Sequence, residues 1–350
     1  MDLLKKITKG MLWTAGALLA LLIFTVGILF INTQGEYTVP GTVTSDPSLP
    51  SVEIDGRLFH AETFGNPNNP AVIVIHGGPG GDYGYLLNLH ALEDEYFVVF
   101  YDQIGAGLSP RVPVDELTLQ TAVDDLHRIV THFGNGAPVR LIGHSWGGML
   151  AAAYVGKYPG QVSQAILAEP GALDNAGLEA FLARQAAGQG LDYYRVLIPT
   201  IFESLRLSGP DPAAQNDYIF GKMTAHYVNS TASGYRCEDI LVQPVIPDIA
   251  IPSSRFGAAA YQTLFGEEGD LTPIVANAPQ YTGDILFMAS ECSLYSGERL
   301  QREHMRHFPQ ATLAVVPQAG HEMFSDNPEA SLDLVRSFFR EPAGLVHSGE

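Results

Sequence analysis

Gly143-His144-Ser145-Trp146-Gly147 decides the reading of this chain. The pentapeptide follows the apolar run Val139, Leu141, Ile142 and leads into a helix-like stretch from Gly148. A strand that turns sharply into a helix holds the central serine in a strained conformation with its Oγ exposed. Glycines on either side let neighbouring elements approach without a Cβ in the way. Ser145 is therefore the candidate nucleophile. A merely structural Gly-rich turn is the competing reading, and it does not require a strand before and a helix after.

Upstream, Val72-Ile73-Val74-Ile75 reads as a fully buried strand running into His76-Gly77-Gly78-Pro79-Gly80-Gly81. A backbone N–H from such a loop and one from the residue after the nucleophile can hold an oxyanion. Gly78 (or Gly77) and Trp146 are the candidates. No Lys follows these glycines, so a phosphate-binding loop is excluded. Downstream, Val315-Val316-Pro317-Gln318-Ala319-Gly320-His321 reads as a short strand, a turn and a histidine. Among 11 histidines, His321 has the position expected of a general base, after nucleophile and acid in chain order. His144 reads as a packed structural residue, and His304 and His307 as surface residues of a helix.

These segments resemble the α/β-hydrolase superfamily, and within it the prolyl iminopeptidase branch. The resemblance rests on His76 to Gly80 (HGGPG), on Asp102-Gln103-Ile104-Gly105-Ala106-Gly107-Leu108-Ser109, and on Gly143 to Gly148 (GHSWGG). It runs from about Val52 to the C-terminus. Ile104 stands where the family usually has Arg. The resemblance implies a serine hydrolase with a Ser-His-acid triad, an oxyanion hole and a specificity-setting cap whose acidic residues bind a free amine.

The acid is the larger departure. The family's Asp follows the strand here read as Ile285–Ala289, and Ser293 occupies that position. Serine cannot charge-stabilise an imidazolium as a carboxylate does. Two carboxylates can substitute. Glu291, the first choice, lies two residues earlier, on the same side of an extended segment. Glu169, the alternative, ends the apolar strand Ala165–Ala168 before Pro170-Gly171, where certain haloalkane dehalogenases of the superfamily carry their acid. The one not used for the triad can line the pocket, with Glu169 as substrate-binding residue.

With 350 residues, 46% of them hydrophobic, the chain can bury one large core plus an insertion. Its formal net charge of -19 makes nucleic acid an unsuitable partner. No His/Cys ligand spacing suggests a metal, and the chemistry calls for no cofactor.

Met11 to Ile31 is a charge-free apolar run of 21 residues, enough to span a bilayer, which takes ~20. Lys5, Lys6 and Lys9 precede it, so residues 1–10 are expected in the cytoplasm and the catalytic domain on the extracytoplasmic side. The run exceeds the ~7–15 residues of a signal-peptide core. A signal anchor is thus expected over a cleaved signal, with residues 32–50 as a breaker-rich tether holding no element. The cysteines, Cys237 and Cys292, form a disulfide or stay unpaired; the sequence leaves both open.

Val52–Ile54 and Leu58–Phe64 flank Asp55-Gly56, a hairpin signal. Strands are expected at Val72–Ile75, Phe97–Tyr101, Val139–Ile142, Ala165–Ala168, Ile285–Ala289 and Thr312–Val316. Helices are expected at Leu119–Phe133, Ser145–Tyr158, Gly297–His307 and Pro328–Phe339. The pattern predicts an α/β fold: a mostly parallel eight-stranded sheet with helices on both faces, over residues 51–173 and 283–350. Residues 174–282 are expected to form a largely helical cap. Glu203, Asp217, Glu238 and Asp239 are its candidate amine ligands, and Tyr193, Tyr194 and Tyr227 its candidate pocket aromatics. Three functions compete: an aminopeptidase acting on a short peptide or other small substrate with a free amine, a carboxylesterase or lipase, and a non-catalytic binding protein on a hydrolase scaffold.

Overall fold

A computed structural model of the protein describes residues 2–35, 37–187, 190–229, 234–237, 255–266 and 269–340. Glu238 and Asp239 lie outside the described residues.

Eight strands form the main sheet: β1 (Ser51–Ile54), β2 (Arg57–Phe64), β3 (Ala71–Ile75), β4 (Phe97–Tyr101), β5 (Val139–His144), β6 (Val162–Ala168), β7 (Asp284–Ser290) and β8 (Thr312–Val316). Their order is β8-β7-β6-β5-β3-β4-β2-β1. β3 to β8 run parallel, while β2 is antiparallel to both β4 and β1. The β1–β2 turn places Asp55 and Gly56 at φ of 50° and 75°, the two left-handed residues that a tight hairpin needs.

Side chains alternate across the sheet. Ile73, Leu141 and Leu167 face one core, closed by Leu126 and Ile129 of the helix Leu119–Gly134 and by Leu150 of the helix Trp146–Lys157. Val74, Ile142 and Met288 face the other, closed by Val335 and Phe339 of the helix Pro328–Arg340. Thr118 caps the Leu119 helix, its side chain accepting the Thr121 N–H.

The parallel register aligns the strand ends. Ile75 pairs with Gly143, Gly143 with Leu167, and Leu167 with Phe287. The residues that follow β3, β5 and β6 therefore emerge together at one edge, where such sheets bind ligands.

Between β6 and β7 the described residues are largely helical, with Asn175–Ala187, Leu191–Ser204, Ala214–Asn229, Ala258–Phe265 and Thr272–Ala276. An ion-pair cluster ties this insertion to the sheet. Arg111 pairs with Asp217 at 2.5 Å and Asp211 at 3.2 Å, and Arg255 also holds Asp211. Cys237 and Cys292 form a disulfide.

At the N-terminus a helix covers Asp2–Asn32, and within Lys6–Asn32 an 18-residue window has a mean hydropathy of 2.5 with none of that window buried. It is long and apolar enough to cross a membrane.

Two expectations are corrected. Within the expected tether 32–50, residues 37–43 are docked: Tyr37–Thr38 pairs in parallel with Leu207–Ser208, and Val39 and Val43 are buried. Its prolines remove donors but leave acceptors, and the Pro40 carbonyl receives the Arg255 guanidinium. His304 is buried against Gln301, because the last turn of its helix faces the core.

Candidate active site

Ser145 sits between β5 and the buried helix Trp146–Lys157 with φ 56° and ψ -120°. A positive φ is costly for a residue with a Cβ. Neighbouring bonds hold it there: its N–H donates to the Ala168 carbonyl at 2.9 Å, and its carbonyl accepts the Gly148 N–H at 3.0 Å. The flanking glycines are obligatory. A Cβ on Gly143 would lie 2.3 Å from the Gly147 carbonyl oxygen, and one on Gly147 would lie 2.0 Å from that of Ile75.

Glu169 is the first residue after β6 and also has a positive φ, 42°. Its carboxylate is fully buried. Oε1 accepts the Ser290 N–H at 2.7 Å and the Ser290 hydroxyl at 2.5 Å. Oε2 accepts the Ser296 hydroxyl at 2.6 Å and lies 2.7 Å from His321 Nδ1. Burial opposes the charge on Glu169, but the His321 and serine bonds more than offset it, holding the carboxyl below its ordinary range. Burial likewise disfavours imidazolium at His321, yet Glu169 prevails and raises that pKa.

Glu291, the first choice for the acid, is not at this position. Its Oε2 accepts the exposed Gln318 N–H at 2.8 Å, because Glu291 N–H bonds the Val316 carbonyl and directs the residue along the β8 edge. Ser293 fills the expected aspartate position differently. Its hydroxyl accepts the Ser296 N–H at 3.1 Å, forming the turn that aims Ser296 at Glu169.

His144 is structural and has a specific task. Its Nε2 lies 2.8 Å from the His321 carbonyl oxygen, and its Nδ1 lies 2.8 Å from the Tyr85 hydroxyl. That hydroxyl in turn accepts the Gly77 N–H at 2.7 Å. Only one tautomer satisfies all three bonds: Nε2 carries the proton and Nδ1 accepts from Tyr85. Burial pushes the His144 pKa down to about 3, so the ring is neutral. Because Gly77 N–H is engaged by Tyr85, Gly78 is the remaining candidate of the two for the loop donor. Its φ of 45° is one that glycine adopts readily. Trp146, the other expected donor, is fixed by its indole N–H, which bonds Gln103 Oε1 at 2.8 Å. Gln103 N–H donates to His76 Nε2 at 3.0 Å, which ties the two loops together.

Asp102 has a purely structural place. It accepts from His60 Nδ1, Tyr83 N–H and Leu108 N–H at 2.7, 3.1 and 2.8 Å. Ile104, in place of the family's Arg, is buried.

Ser145 and His321 line one cavity of about 210 Å³, together with Gly77, Gly78, Tyr235 and the aromatic side chains of Phe181, Tyr227 and Phe265. Tyr227 is thus where it was expected. Tyr193 and Tyr194 instead stack edge-to-face on each other outside the cavity. Two acidic candidates of the insertion are also engaged elsewhere: Glu203 accepts the Tyr218 hydroxyl at 2.7 Å, and Asp217 pairs with Arg111. Among the described residues, the carboxylates lining the cavity are Asp82 and Glu322, which the sequence reading did not single out. HGGPGG followed by Asp, and His321 followed by Glu, were the available signals.

Comparison with known proteins agrees with the architecture. Residues 70–204 match the family model for the alpha/beta hydrolase fold. A proline iminopeptidase of Xylella fastidiosa (strain Temecula1) is 25% identical over 85% of this chain and 98% of its own length. A proline iminopeptidase of Heyndrickxia coagulans is 39% identical over 33% of this chain and 40% of its own length. Among solved structures, VinJ superposes with a TM-score of 0.62 at 22% identity, covering 82% of this chain and 98% of VinJ. A proline iminopeptidase of Mycobacterium smegmatis gives 0.59 at 22% identity, covering 82% and 96%. At these identities the structural likeness speaks for the fold.

Proposed function

Starting from a chain that belongs to the α/β-hydrolase superfamily and is prolyl iminopeptidase-like, we propose that it is a serine hydrolase with the triad Ser145-His321-Glu169, acting as an aminopeptidase on small free-amine substrates. The observation that carries the reading is the 2.7 Å contact of Glu169 with His321 Nδ1, with His321 opening onto the same cavity as Ser145. A carboxylate at this position can take the role that Ser293 cannot, which weighs against a non-catalytic binding protein.

In this mechanism Ser145 Oγ attacks the acyl carbonyl carbon as its proton passes to His321 Nε2. Glu169 keeps Nδ1–H oriented and stabilises the imidazolium. The oxyanion is held by the N–H groups of Gly78 and Trp146. His321 returns the proton to the leaving nitrogen as the C–N bond breaks. Water, deprotonated by His321, then cleaves the acyl-enzyme and regenerates Ser145.

An esterase is the second reading, favoured by the apolar lining of Met149, Leu178, Phe181 and Phe265. The N-terminal helix is consistent with a signal anchor that tethers the enzyme to a membrane, and Lys5, Lys6 and Lys9 before it favour a catalytic domain on the outer side.

The test assays the full chain in detergent, with Ser145→Ala as control, on proline and alanine arylamides, their N-acetyl derivatives and short acyl esters. Cleavage of the free-amine arylamides alone, absent in the control, is expected. Turnover confined to esters would replace the aminopeptidase reading with the second one. Turnover that survives in Ser145→Ala would remove Ser145 as nucleophile.

A further inference from the structure

Among the described residues lining the cavity, the ionisable side chains besides His144, His321 and the tyrosines are Asp82 and Glu322; none is Lys or Arg. Glu322 is the more unusual. It follows His321 and stands at the N-cap of the short helix Met323–Asp326, yet its side chain makes no capping bond. Its Oε2 is buried and has no hydrogen-bond partner among the described residues. Leaving a buried carboxylate oxygen unpaired is expensive, and at this one, in a residue lining the cavity, a bound cation can supply the missing partner.

Asp82 comes from a different segment, directly after the HGGPGG loop, and lines the same cavity. One of its oxygens accepts the Gly84 N–H at 2.8 Å. Both carboxylates act electrostatically on the Tyr85 hydroxyl. Burial pushes Glu322 up to about 7 and, with Asp102 adding repulsion, Asp82 up to about 7. A cation entering the cavity would restore their charge. The aromatic faces of Tyr227, Tyr235, Tyr261 and Phe256 could flank such a cation and its apolar substituent.

We propose that Glu322, assisted by Asp82, is the subsite for the substrate's protonated amine, so that amine recognition comes from the hydrolase core beside the general base. The proposal deepens the aminopeptidase reading and rests on it for the substrate's identity. It explains why Glu203 and Asp217 can be spent elsewhere: neither lines the cavity.

The test is a binding measurement, which keeps its failure separate from failure of the catalytic reading. Full-length Ser145→Ala protein in detergent is titrated calorimetrically with prolinamide, a cation, and with cyclopentanecarboxamide, its neutral counterpart. Prolinamide should bind about 10- to 100-fold more tightly, the range of a hydrogen-bonded charge. Adding Glu322→Gln should abolish most of that difference, and adding Asp82→Asn a smaller part, with cyclopentanecarboxamide affinity unchanged as the control for folding. Equal affinities for the two amides, no binding of either, or a preference that survives both substitutions would overturn the proposal. If prolinamide is preferred while arylamides are not cleaved, the subsite stands and the catalytic reading falls.

Discussion

His144 Nε2 lies 2.8 Å from the carbonyl oxygen of His321, so the residue beside the nucleophile holds the backbone of the candidate general base. The bond is the end of a chain that starts at Gly77 N–H and passes through the Tyr85 hydroxyl. The loop after β3, the turn at Ser145 and the loop carrying His321 are thereby fixed relative to one another, with every polar atom along these bonds satisfied. Tyr85→Phe removes the middle of it and leaves Gly77 N–H and His144 Nδ1 unpaired. The loss of stability should be about 1–3 kcal/mol, the cost of buried groups left without a partner. kcat should fall several-fold with KM little changed, because the reacting groups lose their mutual placement. Thermal melts and steady-state kinetics on the same preparation check both. Unchanged kcat in a destabilised variant would reduce the chain to a packing role.

The two glutamates separate cleanly. Glu169→Gln cannot hold the imidazolium and favours the wrong tautomer of His321, so kcat should drop about 10⁴-fold. Glu291→Gln should stay within about twofold of wild type, since Glu291 meets only an exposed backbone N–H. Both variants are near-isosteric, and equal melting temperatures would show that catalysis, not folding, was changed.

What the sequence could disclose follows from the range of the interactions. The nucleophile turn, the strand before it and the HGGPG loop are local, and β3 and β5 stand where their apolar runs place them. The acid is not local. Glu169 and His321 are separated by 152 positions and meet only through the β6-β7-β8 register, which no pattern within one segment contains. Spacing within the β7 loop favoured Glu291, but the hydrogen bond of its N–H to Val316 turns that segment along β8. The docking of residues 37–43 was hidden for a related reason: prolines argue against regular structure but not against accepting a bond from Arg255.

The disulfide joins the helical insertion to the loop after β7, across 55 residues of chain. Closing a loop of that size stabilises by up to about 4 kcal/mol in the chain-entropy treatment. The double variant Cys237→Ser/Cys292→Ser should melt at lower temperature. A reducing agent should bring wild type down to the same value. A melting temperature indifferent to reductant would show that the thiols are unpaired in solution.

The N-terminal helix makes a separate prediction. Its apolar side chains are exposed along its length, among them Leu12, Trp13, Leu18, Leu22 and Phe24. Water is a poor solvent for such a surface. Full-length protein should sediment with membranes and be released by detergent but not by high salt or carbonate. A chain starting at Gly35 should stay in the supernatant. Protease added to intact cells or spheroplasts should reach the catalytic domain if it lies outside. Protection of the domain would place it on the cytoplasmic side.

The pH profile tests the triad from its electrostatics. His321 must be neutral to accept the serine proton, and its pKa is raised above 6.5 by Glu169, opposed by burial and assisted by Glu322 and Asp326. Imidazolium therefore persists to higher pH than in an isolated histidine, and kcat/KM should rise with pH through a value above 6.5. Asp82 and Glu322, both pushed up to about 7, titrate in the same window, so the limb for a cationic substrate combines several ionisations. A neutral ester isolates the His321 contribution. With that ester, Glu169→Gln removes the main group that favours the charged imidazole and leaves burial to act against it. The acid limb should then move to lower pH even as the plateau collapses. A limb that stays in place in Glu169→Gln, while Glu291→Gln shifts it, would return the acid to the position the sequence first suggested.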